Sequence, residues 1–132
     1  MSIKIKIQEG LEAKKSCENL LKKNFKAKTS FKLLQLQKEL ILLEENFNQI
    51  KEETIKKYAI VDEENNPITE ILEDGRSFIC VDPEKRLECT LELTEALAQE
   101  IEVKEIKFNL EEFGDELISG EELSGIFPFI SE

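Results

Sequence analysis

The sequence predicts an α+β fold: a long helix packed with two further helices, plus a small β-sheet. Three observations carry this expectation. Leu33, Leu36, Leu40, Leu43, Phe47 and Ile50 step by 3, 4, 3, 4, 3, a strict heptad seam. Ile3, Ile5 and Ile7 alternate with Lys4 and Lys6, apolar on one face and charged on the other, as in a half-buried strand. Asp74-Gly75 stands between the apolar runs Ile68–Leu72 and Phe78–Val81, the strongest short-range hairpin signal.

The first strand is expected to end at Gly10. From Leu11 to about Asn24, Ala13, Cys17, Leu20 and Leu21 form one stripe of an amphipathic helix, with Phe25 closing it. Thr29-Ser30 offers an N-cap for the long helix, which meets no Gly or Pro before Ile60. Leu34, Ile41, Leu42 and Ile55 widen its stripe, so it is expected to face more than one neighbour.

The cluster Asp62–Pro67 ends that helix in a turn. Asp82-Pro83 then opens another, with Asp as N-cap and Pro at the first helical position. Its expected inner stripe is Leu87, Leu91, Thr94, Ala98 and Ile101, which leaves Glu84, Glu88, Glu92 and Glu95 as an acidic face. Ile101, Val103, Ile106, Phe108 and Leu110 alternate in two registers, as a strand bulged near Lys104-Glu105 does. All three strand segments are expected to share one mixed or antiparallel sheet. Ser119-Gly120-Glu121-Glu122 has the form of a capping box. Gly125 ends the short helix that follows, and Ile126-Phe127-Pro128-Phe129-Ile130 is an apolar tail.

A chain of 132 residues fits one domain. Its charge is lopsided. Residues 1–60 carry 13 Lys against 8 acids, a net of +5; residues 61–132 carry 5 basic residues against 21 acids, a net of −16. The single domain therefore reads as a basic helical half, 1–60, and an acidic α/β half, 61–132. Either the halves fold against each other or each faces its own partner. No apolar run approaches the ~20 residues of a membrane span, and the first residues lack the apolar centre of a signal peptide. Cys17, Cys80 and Cys89 form no disulfide pattern, which points to a reducing compartment.

The chain has no histidine. Ser-His-Asp triads, Cys-His dyads and the common zinc sites are thereby excluded. The lysine-rich stretch Lys14–Lys32, seven Lys against one Glu, holds no arginine and only two aromatics (Phe25, Phe31), so direct nucleic-acid binding is not expected.

The order of several segments adds a resemblance. Lys28-Thr29-Ser30-Phe31-Lys32-Leu33 leads into the heptad helix, and Lys57-Tyr58 precedes the Asp62–Pro67 turn. Ile101-Glu102-Val103 follows Leu97-Ala98-Gln99-Glu100. The end reads Leu117-Ile118-Ser119-Gly120-Glu121-Glu122-Leu123 and then Phe127-Pro128-Phe129-Ile130-Ser131-Glu132. Over nearly its whole length the chain resembles a family of small acidic proteins of unknown function encoded by tailed phages and prophages of low-GC Gram-positive bacteria. It departs from that pattern at Gly120, where the family has Pro, and at Asn65-Asn66, where the family has an acidic-Gly-Asn turn. The resemblance implies a phage origin and action in the host cytoplasm, and it implies no catalytic residues.

These readings lead to three functional expectations. The first is a non-enzymatic binder of a host protein, an inhibitor of a nucleic-acid-handling or defence complex such as a CRISPR effector. Its candidate surface is the acidic set Glu84, Glu88, Glu92, Glu95, Glu111, Glu112, Asp115 and Glu116. A plain solvated surface is the competing reading of the same residues. The second is a phage head or tail assembly chaperone, or a minor structural protein, docking through Ile126, Phe127, Phe129 and Ile130. The third is an enzyme using a divalent metal at the acidic pairs, although no Asp-x-Asp-x-Asp-Gly spacing supports a cation loop. No cofactor is called for. The Leu33–Ile50 seam is expected to pack within the chain, with a homodimeric coiled coil as the alternative.

Overall fold

The computed structural model describes residues 2–131 and is α+β, as its sequence predicts. The chain divides into two compact units. The first comprises residues up to Asn46 together with those from Ala98 onward, and the second is Phe47–Leu97.

In the first unit, strand β1 (Ser2–Lys6) pairs antiparallel with a strand near residue 100, Glu100–Lys104. Ile5 lies opposite Ile101 and Ile3 opposite Val103, while Lys4 faces Glu102 and Lys6 faces Glu100. Apolar pairs thus share one face and opposite charges the other. The strand stops sooner than the alternation suggests. Ile7 is the first residue of helix α1 (Ile7–Leu20), and Gly10 lies inside that helix rather than ending the strand. Glu9 decides this locally, because its Oε1 accepts the Lys6 N–H at 2.9 Å and caps the turn. Gly10 is tolerated there because a Cβ would stand 2.6 Å from Leu43 Cδ1. The inner stripe is Ile7, Gly10, Ala13, Ser16, Cys17 and Leu20.

Helix α2 (Ala27–Lys57) runs 31 residues, about 46 Å at 1.5 Å per residue. It begins ahead of the expected Thr29-Ser30 cap. Thr29 is buried, and its hydroxyl donates to the Glu112 carbonyl at 2.8 Å instead of capping. Leu33, Leu36, Leu40 and Leu43 are buried in the first unit and form its spine.

Among the described residues no bulge interrupts the ladder, which runs as far as Lys104 opposite Ser2, and Ile106 and Phe108 beyond it are buried. The Phe108 N–H donates to the Phe129 carbonyl at 2.8 Å, and the Ser131 N–H donates back to the Phe108 carbonyl at 2.7 Å. The segment Ile126–Ser131 is therefore tied to Phe108. Ile126 and Phe129 are fully buried, Ile130 is half-buried and only Phe127 is exposed, so the expected docking tail is core rather than surface. The capping box is present: Ser119 Oγ accepts the Glu122 N–H at 3.0 Å, and Glu122 Oε1 accepts the Ser119 N–H at 3.2 Å, opening the short helix Gly120–Gly125.

In the second unit, α2 continues from Phe47, which is buried, to Lys57. Ile50 is 43% exposed, so it falls outside the buried seam. Asp62 Oδ1 accepts the N–H groups of Glu64 and Asn66, each at 2.9 Å, and Asn65 takes the left-handed conformation at φ 69°. Strands β2 (Thr69–Ile71) and β3 (Ser77–Ile79) form the expected hairpin, with Gly75 at φ +89°. They make a sheet of their own, so the expectation of one sheet is corrected to two separate two-stranded ones. Asp82 accepts the Glu84 N–H at 3.0 Å, and Pro83 opens a 3₁₀ turn that leads into helix α3 (Arg86–Leu97). Its inner face is rotated from the expected one. Cys89 is buried and Leu93, Ala96 and Leu97 are half-buried, whereas Leu87 and Leu91 are 70% and 53% exposed. The later strand Glu100–Lys104, β4, returns the chain to the first unit.

Candidate functional site

The eight predicted acidic residues are divided between the two units. Four of them, Glu111, Glu112, Asp115 and Glu116, line an open cleft of about 820 Å³ in the first unit. Its other wall is Lys23–Thr29, part of the lysine-rich stretch. Asn109 caps the 3₁₀ turn Leu110–Phe113 by accepting the Glu112 N–H at 3.2 Å, which presents Glu112 to that wall. Phe113 is buried there, edge-on to Phe25 at 5.5 Å and stacked on Phe108 at 5.7 Å.

Glu112 does structural work in this cleft. Lys32 Nζ donates to both of its carboxylate oxygens, at 2.9 and 2.8 Å, and also to the Lys107 carbonyl, while lying 5.0 Å from the Phe108 ring centroid. Desolvation pushes the Glu112 carboxyl up. The hydrogen bond from Lys32, the one from the Asn109 backbone and the charges of Lys32 and Lys28 outweigh it and hold the group below its ordinary range. Glu112 is thus an ionised anchor at neutral pH, and Glu111 and Asp115 are exposed at the cleft's rim. Lysines and carboxylates are interleaved here, so the cleft is mixed in charge rather than acidic.

The other four acids belong to the second unit. Glu84, Glu88 and Glu95 are exposed on α3 and the turn before it. Glu92 is not part of that outward set. Its Oε1 accepts from Lys57 Nζ at 2.5 Å and from the Tyr58 hydroxyl at 3.2 Å. The Lys57 hydrogen bond is the main reason its carboxyl sits below the ordinary range.

Sequence reasoning missed the Lys32–Glu112 and Lys57–Glu92 pairs. The only available signal was the opposite charge of the two halves, since the partners stand 80 and 35 residues apart. Sequence reasoning also missed the apolar surface of the second unit. Ile71, Phe78, Leu87 and Leu91 are 77%, 43%, 70% and 53% exposed. Among the described residues of this unit, only Phe47 and Cys89 are buried hydrophobics. With 6 basic residues against 13 acids, Phe47–Leu97 carries a net charge of −7.

Cys17 and Cys89 are buried, whereas Cys80 is half-buried beside the Glu70 carboxylate. Burial pushes the Cys17 thiol up to about 12, and its Sγ donates to the Leu33 carbonyl at 3.2 Å. Among the described residues, no three Cys, Asp or Glu side chains are grouped to hold a metal ion, and no helix is long and apolar enough to cross a membrane. Comparison with family models, curated proteins and solved structures finds no match to this chain.

Proposed function

We propose that this chain is a protein-binding module without catalytic activity, an inhibitor of a host nucleic-acid-handling or defence complex, such as a CRISPR effector, that acts through its second unit. The observation that carries the reading is the combination found on Phe47–Leu97: a net charge of −7, exposed Glu84, Glu88 and Glu95, and exposed Ile71, Phe78, Leu87 and Leu91. Apolar side chains left uncovered beside one sign of charge are what a protein interface presents before it closes. The acids steer the encounter with a basic cleft, and the apolar residues supply the contact that persists. A phage origin, as the resemblance implies, supplies the setting in which a small stoichiometric inhibitor is useful.

The test is capture from host lysate with tagged protein, at low and at high salt, with mass spectrometry of the retained proteins. A nucleic-acid-handling complex held at low salt and released at high salt supports the reading. Reversing Glu84, Glu88 and Glu95 to Lys should abolish that capture; retention by the triple variant sinks the acidic-surface mechanism. Glu92 is left out of the set because its reversal also breaks the Lys57 and Tyr58 contacts.

The same exposed apolar residues favour a second reading, a chaperone or minor component of phage head or tail assembly. Its capture of phage structural proteins is salt-tolerant and lost on changing Leu87 and Leu91 to Ser. It no longer rests on the chain end, which the core uses.

A further inference from the structure

Helix α2 has a second apolar strip, on the side opposite the buried seam. Phe31, Leu34, Ile41 and Leu42 are 62%, 48%, 38% and 56% exposed. At 100° per residue they share one face with Lys38 and Glu45, both exposed. Leu33, Leu36, Leu40 and Leu43 point the other way and are buried. All of these residues belong to the first unit. Among the described residues, neither Lys38 nor Glu45 forms an ion pair.

The order of charges along this strip selects an occupant. Lys38 stands three residues before Ile41, and Glu45 three residues after Leu42. The strip is therefore antisymmetric about the Ile41–Leu42 step. If two copies cross antiparallel at that step, Ile41 of each meets Leu42 of the other, and Lys38 of each meets Glu45 of the other. A two-fold axis makes both ion pairs at once. A parallel, in-register pair instead sets Lys38 on Lys38 and Glu45 on Glu45, which repels at both levels. We infer that the exposed face of α2 is a homodimer interface, with two copies packed antiparallel about Ile41 and Leu42 and the Lys38–Glu45 pairs setting the direction. At this crossing Ile41 and Leu42 of each copy meet apolar partners, while Leu34 falls opposite Gln49 and Phe31 opposite Glu52, so the contact is much smaller than the ~1,200–2,000 Å² of a standard interface and the dimer is reversible and concentration-dependent.

Sedimentation equilibrium on the full chain, over micromolar to hundreds of micromolar concentrations, tests this. The unmodified protein should show a monomer–dimer equilibrium. Each single reversal, K38E or E45K, should raise the dimer Kd by about tenfold or more, because it creates two like-charge contacts per dimer. The double variant K38E/E45K restores opposite charges and should return Kd to within about threefold of the original. L42D should leave only monomer. All these positions are exposed, and unchanged helical circular dichroism confirms that each variant is folded. A chain that stays monomeric throughout overturns the inference. So does a dimer indifferent to the single reversals, or one that the double swap fails to restore.

Discussion

At the scale of single residues, one glycine, one lysine and one cysteine hold positions that their types do not advertise. A Cβ on Gly125 would lie 1.8 Å from Ser16 Oγ and 3.2 Å from the Glu12 carbonyl oxygen. The backbone of the last helix is thus pressed against α1. Gly125→Ala should destabilise by about 1–3 kcal/mol through overpacking, read by urea denaturation. An equal midpoint for the variant would show that the helices separate freely. Lys32 gathers Glu112, the Lys107 carbonyl and the Phe108 ring around one ammonium group. Replacing it with Met leaves the Glu112 carboxylate without its cation and should cost about 1.5–3 kcal/mol. Cys17, with its thiol pushed up to about 12 by burial, should resist alkylation at pH 8 until the chain unfolds. Mass spectrometry of native protein treated with iodoacetamide checks this, and prompt labelling of Cys17 would contradict the burial.

At the scale of elements, the heptad pattern of α2 is read correctly in period but not in extent. Leu40 is fully buried, and Leu42, two residues on, is more than half exposed. Leu40→Ala should therefore cost about 2–5 kcal/mol, and Leu42→Ala little in the monomer. Thermal melts of the two variants at low concentration should separate them clearly. Cap signals were also legible: Asp82-Pro83, Ser119 with Glu122 and Asp74-Gly75 all act as their residue types predict, because each depends on atoms within four residues. The starts of α1 and α2 were misplaced for the opposite reason. Ile7 N–H donates to the Gln99 carbonyl, and Thr29 donates to the Glu112 carbonyl, partners 92 and 83 residues away that no local pattern contains.

At the scale of the whole molecule, charge balance is partly internal. Of the predicted acidic surface, Glu112 and Glu92 are taken by Lys32 and Lys57, each pair joining the basic half of the sequence to the acidic half. Glu112 and Glu92 both have carboxyls held below their ordinary range in the folded chain. A depressed folded pKa contributes stability that is present above the unfolded value and is lost as pH falls through the folded one. Stability should thus be level near neutrality and decline below about pH 4.5, where unfolded carboxylates begin to hold protons. The Glu112→Gln variant should show a shallower decline in urea melts taken from pH 6 to pH 3; a slope equal to the parent's would remove Glu112 from this account.

The sequence by itself determined the fold class, the hairpin, the caps at Asp82 and Ser119 and the four-leucine spine, because periodicity and capping are set by neighbours along the chain. It also showed that the two halves have opposite charge. Only the tertiary structure decided which carboxylates are spent on lysines, that the apolar end Ile126–Ile130 is core, and that Leu87 and Leu91 face outward while Cys89 faces in. The physical reason is common to all three. An apolar or charged side chain advertises what it needs, burial or a counter-charge, but which neighbour meets that need depends on residues tens of positions away.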